Sequence, residues 1–425
     1  MNVVDSEVVA AILQQHNYQV TDKLDEADLV LVNTCSIRDN AEQKVRTRIR
    51  EFGRLKGKSH SFSVGVIGCM AERLKEKLLE EESTVDLVVG PDAYRDLPAL
   101  LQEVESGQKG INTILSLEET YGDIRPVRMD QNHVTSFVAI MRGCNNFCAY
   151  CVVPGTRGRE RSRDPETIVR ECTELFEQGY REVTLLGQNV NSYRWKEGES
   201  LLMFEKLLER VAGIDPAFRV RFATSHPKDL SDELLKVIAR YPNLCRSIHL
   251  PVQSGSTSVL ERMKRRYTRE HYMDRISAIR SYLPEASIST DIIAGFCGET
   301  EEEHQQTLSL MQWAGYDFAY MFKYSERPDT FAAAKLEDDV SETVKTRRLS
   351  EIIALQNRLS LESKKRDVGK TFEVLVEGTS KKSSEQLYGR TSQNKVVVFP
   401  KKNLQAGDFT EVTITDCTSA TLIAS

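Results

Sequence analysis

Three cysteines fall within eight residues, in Gly143-Cys144-Asn145-Asn146-Phe147-Cys148-Ala149-Tyr150-Cys151, directly after the apolar run Phe137-Val138-Ala139-Ile140-Met141. The chain has only nine Cys in 425 residues, so this clustering needs a cause in chemistry or folding. Three thiolates on a short loop can hold three irons of a cubane cluster and leave the fourth without a protein ligand. An open coordination position is what separates a reactive metal centre from a structural one. Two other readings compete. Structural zinc draws on two spaced Cys or Cys/His pairs, whereas here the next Cys is Cys172 and His133 precedes the strand. A disulfide loop suits poorly a chain with few cysteines, an odd number of them, and a start that lacks the basic region of a secretory signal. An oxygen-sensitive cluster in a reducing cytosol fits the pattern best.

Two more cysteines occupy matching places. Cys35 follows the apolar run Leu29-Val30-Leu31-Val32 in Asn33-Thr34-Cys35-Ser36, and Cys69 follows Val64-Gly65-Val66-Ile67 in Gly68-Cys69-Met70. Both lie past the carboxyl ends of expected parallel strands, the rim where such sheets place ligands. A shared site is one reading; two independent buried thiols is the other. As a cluster site the pair is one ligand short of what a single open iron requires.

The elements that must position these residues fall into three segments. The first, 1–122, alternates helix and strand: a helix capped by Ser6 and running to about Asn17, the run at 29–32, a helix from Asp39 to Leu55, the run at 64–67, a helix from about Ala71 to Glu81, then Leu87-Val88-Val89. The alternation predicts a doubly wound α/β domain. The second, 130–362, is a series of strand-helix units. Asp164-Pro165 starts a helix that stops at Gly179. Strands are expected before Cys144 and at 183–186, 220–222, 247–250, 288–293 and 318–322. Six strands are two short of a closed eightfold barrel, so an open (β/α)6 partial barrel is expected.

The residues just past each of these strands are polar or small: Gly187-Gln188-Asn189, Thr224-Ser225-His226, Pro251-Val252-Gln253-Ser254 and Gly295-Phe296-Cys297-Gly298-Glu299. Barrels of this kind gather their chemistry at the strand carboxyl ends. Gln188, Asn189, Ser225 and Gln253 are therefore candidates for holding a cofactor and substrate, although loop capping explains any one of them as well. The third segment, 364–425, carries short strands punctuated by Gly378, Gly389 and Gly407, which suggests a small β-barrel. From Lys364 to Ser425 it has 10 Lys and Arg against 7 Asp and Glu, within a chain of formal net charge −6. Oligonucleotide-binding barrels look like this, as do many interaction modules.

Composition excludes some classes. No apolar run approaches the roughly 20 residues needed to cross a bilayer, so the protein is expected to be cytoplasmic. The overall acidity argues against a wholly basic nucleic-acid binder. Two basic runs, Arg157 to Arg163 and Arg262 to Arg269, read first as solvated faces and second as nucleic-acid contacts.

Cys144, Cys148 and Cys151, spaced Cys-x3-Cys-x2-Cys after a strand, resemble the signature of the radical S-adenosylmethionine enzymes. On that resemblance the three are ligands of a 4Fe-4S cluster whose open iron chelates S-adenosylmethionine, and Tyr150 lies over the cofactor's adenine or serves the local fold. Taken whole, the chain resembles the radical methylthiotransferases, in the run from Asp28 to Arg38, in Gly68-Cys69-Met70-Ala71, in the Cys144 motif, in His249-Leu250-Pro251-Val252-Gln253-Ser254-Gly255-Ser256 and in a tail similar to the RNA-binding TRAM domain. The resemblance implies a second, auxiliary 4Fe-4S cluster on Cys35, Cys69 and one further Cys.

The words Asn33 to Glu42 and Phe322 to Thr330 resemble the branch acting on tRNA, which inserts a methylthio group at C2 of N6-isopentenyladenosine next to the anticodon. That C2 hydrogen is not acidic enough for a side-chain base, which suits a radical. A tRNA surface joining Arg262 to Arg269 with the C-terminal barrel is expected, with an electron donor such as flavodoxin, a monomeric state and no membrane. Two departures from the family pattern stand out. The chain starts just after the position of the first cluster Cys, which predicts a sequence truncated at its N-terminus and an incomplete ligand set for the auxiliary cluster. Cys297 stands where Pro is more usual. Cys172, Cys245 and Cys417 match no motif and read as packing residues. The same chemistry on threonylcarbamoyladenosine in tRNA or on a ribosomal-protein aspartate is the nearest alternative, and a noncatalytic iron-sulfur RNA-binding protein is the alternative of a different class.

Overall fold

The computed structural model describes residues 1–35, 39–56, 62–129 and 132–425, and the backbone alone at 39–41. Ser36, Ile37 and Arg38, part of two of the family-like words above, lie outside the described residues.

The chain divides into two compact units that interleave in sequence. One comprises 1–129, 141–163 and 327–334; the other comprises 130–140, 164–326 and 335–425. In chain order the first elements are α1 (Asn2–Gln14), β1 (Leu29–Asn33), α2 (Asp39–Leu55), β2 (Ser63–Ile67), α3 (Cys69–Leu74), α4 (Glu76–Glu81), β3 (Leu87–Val89), α5 (Leu97–Glu105) and β4 (Gly110–Asn112). The four strands pair in parallel in the order β1-β2-β3-β4. Helices α2 and α4 cover one face of this sheet, through Ile49 and Leu78, and α5 approaches the other at Gly110, so helices lie on both faces as expected. Its core is apolar and closed, built from Ile49, Val66, Met70, Ala71, Leu78, Val85 and Val88. Burying each of the Val, Ile, Leu and Met side chains among them fully is worth roughly 1.5–3 kcal/mol.

Local expectations failed here for identifiable reasons. Ser6 is not a cap: α1 starts four residues earlier, and the Ser6 hydroxyl accepts from the Asn33 amide at 3.0 Å. The helix expected at 71–81 begins at Cys69 and breaks at Lys75, whose φ is +50°, giving α3 and α4. Helix α1 is buried on nearly every side, and it carries two acids inward: Asp5 and Glu7. Such a helix needs partners for its charges.

The cluster segment returns to this unit as a hairpin. After β5 (Thr135–Ala139) of the second unit come β6 (Met141–Arg142), α6 (Val153–Arg157) and β7 (Arg161–Ser162), with β6 and β7 antiparallel. The segment 327–334 also belongs here: Arg327 reaches Glu42, and the Ala332 N–H donates to the Ala149 carbonyl at 2.7 Å.

The second unit continues through α7 (Pro165–Glu177), whose Asp164 cap accepts from the Glu166 N–H at 2.8 Å, β8 (Glu182–Leu186), the small hairpin β9 (Arg194–Glu197) and β10 (Ser200–Met203), α8 (Phe204–Ala212), β11 (Arg219–Ala223), α9 (Asp232–Arg240), β12 (Ser247–His249), α10 (Thr257–Arg262), α11 (Arg269–Tyr282), β13 (Ser287–Ala294), α12 (Glu301–Ala314) and β14 (Phe318–Lys323). Six parallel strands run β5-β8-β11 and β12-β13-β14, joined by a parallel bridge between Val220 and Leu244. This is the open six-stranded arrangement expected.

After α13 (Phe331–Lys335) and α14 (Glu342–Lys365), the tail closes a five-stranded barrel of β15 (Thr371–Thr379), β16 (Gln386–Thr391), β17 (Val396–Pro400), β18 (Phe409–Cys417) and β19 (Leu422–Ala424), in the order β15-β16-β17-β19-β18. Gly389 lets two of its strands close: a Cβ there would fall on the Leu375 carbonyl oxygen. The barrel docks at the amino ends of the six strands. Arg219 donates to the Arg390 carbonyl and to Glu373, each at 2.9 Å, and Arg221 donates to the Thr391 and Ser392 carbonyls while holding Glu182.

Candidate metal and cofactor sites

In the first unit the three-cysteine loop is the tip of the β6-β7 hairpin. Its entry is set by Gly143, which has φ +75° and lies so close to the Arg159 carbonyl that no side chain fits. The Cys144 N–H then donates to the Gly158 carbonyl at 3.2 Å, and the Cys151 N–H to the Cys148 carbonyl at 3.0 Å. Glu160 closes the loop by accepting from the Asn145 amides at 3.3 Å. Cys148 is buried, Cys144, Tyr150 and Cys151 are half-buried, and burial pushes the Cys144 thiol up. All nine cysteines are thiols rather than disulfide halves, which removes the disulfide reading.

The remaining two readings are a single zinc ion and an iron-sulfur cluster. Tetrahedral zinc at about 2.3 Å per thiolate brings its sulfurs to about 3.8 Å of one another. Among the described residues, the one trio of metal-capable side chains with all ligand atoms within 4.8 Å is Glu301, His304 and Glu351, not the cysteines. The Glu301-His304-Glu351 trio is an ion-pair cluster: Arg347 donates to both carboxylates at 2.5 Å.

Cys35 lies two residues past β1 and Cys69 opens α3 just past β2, as their sequence positions imply. The pair supplies two sulfur donors, and a cluster with one open iron takes three. The Cys69 Sγ accepts from the Arg157 Nε at 3.1 Å. Arg157 and Arg142 share one counter-ion, Asp5, whose two oxygens accept from them at 2.5 Å each; all three side chains are buried. Burial pulls the Asp5 carboxyl up, and the two guanidiniums outweigh it and hold it below the ordinary value of 3.8. Nearby, Arg161 donates to Asp92 at 2.9 Å. The run Arg157 to Arg163 is therefore not a solvated face: Arg157, Arg161 and Arg163 are all buried. Sequence reasoning missed this network because Asp5 and Asp92 are far away along the chain.

In the second unit the rim at the strand carboxyl ends holds Gln188 and Asn189 after β8, Ser225 after β11 and Gln253 after β12. It contains an unusual concentration of unsatisfied buried atoms: Gln188 Oε1, Asn189 Oδ1, Asn191 Oδ1 and Nδ2, Ser225 Oγ and His226 Nε2. Burial, and then Arg265, hold His226 well below the ordinary histidine range, so it is neutral. Its Nδ1 accepts from the Lys228 N–H at 3.2 Å, which puts the ring proton on the unsatisfied Nε2. Acceptors and donors left unpaired in one place cost several kcal/mol unless a polar ligand meets them. Asn191 was not anticipated; its signal was the polar word Asn189-Val190-Asn191-Ser192. Gln253 is placed differently. Its backbone extends the sheet by bridging Ile292, at φ +72°. Glu299, which burial pushes up, pins the Gly295 loop by accepting from the Gly295 N–H at 2.7 Å and from Arg348 at 3.0 Å.

The second basic run is also largely spent within the fold. Arg262 pairs with Glu303, Arg265 donates to the Pro251 carbonyl and Arg269 to the Gly255 and Gln306 carbonyls; Lys264 and Arg266 remain exposed. Cys172, Cys245 and Cys297 are buried and Cys417 is half-buried against the barrel core, in keeping with packing roles. No described helix is long and apolar enough to cross a membrane.

An open parallel barrel with a three-cysteine loop and a bare polar rim defines a radical S-adenosylmethionine protein, and comparison with known proteins agrees. Residues 138–311 match the radical SAM superfamily, 1–90 the family described as "Uncharacterized protein family UPF0004", and 365–425 the TRAM domain. The fold is similar to that of the radical S-adenosylmethionine methyltransferase TsrM from Kitasatospora setae, with a TM-score of 0.57 and 16% identity over 78% of this chain and 72% of that one. The chain is 59% identical to the tRNA-2-methylthio-N(6)-dimethylallyladenosine synthase of Bacteroides fragilis, covering 99% of this chain and 92% of the relative. It is 60% identical, with the same coverage, to the synthase of that name from Phocaeicola vulgatus. The chain belongs to the family of tRNA-2-methylthio-N(6)-dimethylallyladenosine synthases.

Proposed function

We infer that this chain is a tRNA methylthiotransferase that inserts a methylthio group at C2 of N6-isopentenyladenosine next to the anticodon. The observation that carries the reading is the similarity to such synthases at 56–60% identity across all three parts of the chain. When bound, the 4Fe-4S cluster and S-adenosylmethionine supply a 5′-deoxyadenosyl radical, and an auxiliary cluster supplies the sulfur. Cys144, Cys148 and Cys151, on the loop of the β6-β7 hairpin, are the ligands of the first. Cys35 and Cys69 contribute two ligands to the second, with Arg157 orienting Cys69. Gln188, Asn189, Asn191, Ser225 and His226 meet the polar groups of the cofactor, and Tyr150 meets its adenine. The C-terminal barrel, with exposed Lys264 and Arg266, contributes to binding tRNA, positioning rather than specifying it. The protein acts as a monomer in the cytoplasm and takes its electron from a donor such as flavodoxin.

The test is anaerobic reconstitution with iron and sulfide, then incubation with S-adenosylmethionine, dithionite and isopentenylated tRNA. The parent protein is expected to form 5′-deoxyadenosine and the methylthiolated nucleoside, and Cys148→Ala to form neither and to retain less iron. A reconstituted parent that makes no 5′-deoxyadenosine overturns the radical assignment.

A further inference from the structure

The sheet β12-β13-β14 has one face closed and one face open. Ile288, Thr290, Ile292 and Ala319 are buried beneath the outer helices, whereas the alternate positions turn to the inside of the open barrel. There Phe318 and Tyr320 are 49% and 51% exposed, which is unusual for two large aromatics side by side on a concave face. Their rings meet at 86° with centroids 4.8 Å apart, making a right-angled corner. In register with them on β13 are Ser289 and Asp291. His249 of β12 completes the group: its Nδ1 is 3.0 Å from the Ser289 hydroxyl, its Nε2 is 3.4 Å from Asp291 Oδ1, and its ring meets Tyr320 edge-on at 5.9 Å. One row nearer the carboxyl ends lie half-buried Ile293 and Phe322.

We propose that this inner face seats the target base of the RNA, with Phe318 and Tyr320 as its stacking corner, Asp291 accepting from its N6–H, and Ile293 and Phe322 receiving its N6 substituent. The proposal rests on the functional reading above. Stacking on aromatic rings is the general way a protein holds an unpaired base, and a carboxylate accepts from an exocyclic N–H. Depth agrees: Tyr320 is three residues, about 10 Å at strand rise, below the end of β14, which leaves room for a base beneath a cofactor held at the rim. The same group selects among substrates. An isopentenyl chain is neutral and apolar and suits Ile293 and Phe322. A threonylcarbamoyl group brings a carboxylate onto a face that already carries Asp291, so the carboxylate is a repulsive element built against that substrate.

The experiment titrates the full chain with anticodon stem-loop RNAs bearing adenosine, N6-isopentenyladenosine or N6-threonylcarbamoyladenosine at the target position, at one fixed salt concentration, by fluorescence anisotropy. The parent is expected to prefer the isopentenylated RNA about tenfold, Tyr320→Ala and Phe318→Ala to lose most of that preference, and Tyr320→Phe to keep it. Asp291→Asn is expected to bind the threonylcarbamoyl RNA several-fold more tightly than the parent does. If the parent discriminates and the two alanine variants discriminate equally well, the assignment of the face is overturned while the functional reading stands. If the parent binds all three RNAs alike, the functional reading falls and the base site with it.

Discussion

Removing Asp5 tests the buried network that ties helix α1 to the cluster hairpin. Asp5→Ala leaves the Arg142 and Arg157 guanidiniums in the interior with no carboxylate, and breaking a buried pair in this way costs about 3–5 kcal/mol. That is a large share of the roughly 5–15 kcal/mol that holds a domain folded. With a urea dependence of about 3 kcal/mol per molar, the midpoint should fall by rather more than 1 M. The probe must report on the first unit. Both tryptophans, Trp195 and Trp313, belong to the second, so the readout is urea-dependent hydrogen exchange in peptides from α1 and residues 141–163. Acid sharpens the test. The folded-state pKa of Asp5 lies below its unfolded value of 3.8, so its contribution is complete above that value and is lost as pH falls through the lower one. The penalty of Asp5→Ala should therefore be full at pH 7 and shrink below pH 3.8. A shift under about 0.3 M at pH 7, or a penalty that does not diminish in acid, refutes the reasoning.

Three further outcomes follow from single contacts. Burial pushes the Glu72 carboxyl up to about 7 against the pull of Lys75, so the folded state holds its proton more tightly than the unfolded state; parent stability should decline between pH 4.5 and 7 by an amount that Glu72→Gln lacks, read from unfolding midpoints at pH 5 and 8. Gly389→Ala puts a methyl group onto the Leu375 carbonyl and 2.6 Å from Val374, which should part β15 from β16, cost about 1–3 kcal/mol and speed amide exchange at Val374 to Val376. Arg221→Ala strips buried Glu182 of two N–H donors and the C-terminal barrel of two bonds; a loss of about 3 kcal/mol, read as a drop of several degrees in Tm, is expected.

What the amino acids disclosed directly was whatever is encoded locally. The Cys144 loop, the six apolar runs and the glycine-punctuated tail each carry their signal within a dozen residues, and each appears in the fold. Misjudged features depend on partners distant along the chain. Arg157, Arg161 and Arg163 look like a solvated stripe until Asp5 and Asp92 are placed beside them. The Lys75 break carries neither Gly nor Pro, and the three residues of β4 are too few to show a period. The positions of Gln188, Asn189 and Ser225 at the strand carboxyl ends were legible because they follow strands. The exposed pair Phe318 and Tyr320 was not, since an apolar strand reads the same whether its inner face is filled or bare.

The interleaving of the first unit sets an order of events during synthesis. Its sheet is complete by Met129, yet the segment bearing Arg327, the partner of Glu42, is made about 200 residues later. At 5–20 residues per second the ribosome takes roughly 10–40 s to deliver it. During that interval Glu42 lacks one of its two arginines and the Ala149 carbonyl lacks its donor from Ala332. The cysteine loop thus waits for its last backbone partner until the segment at 327–334 has been made.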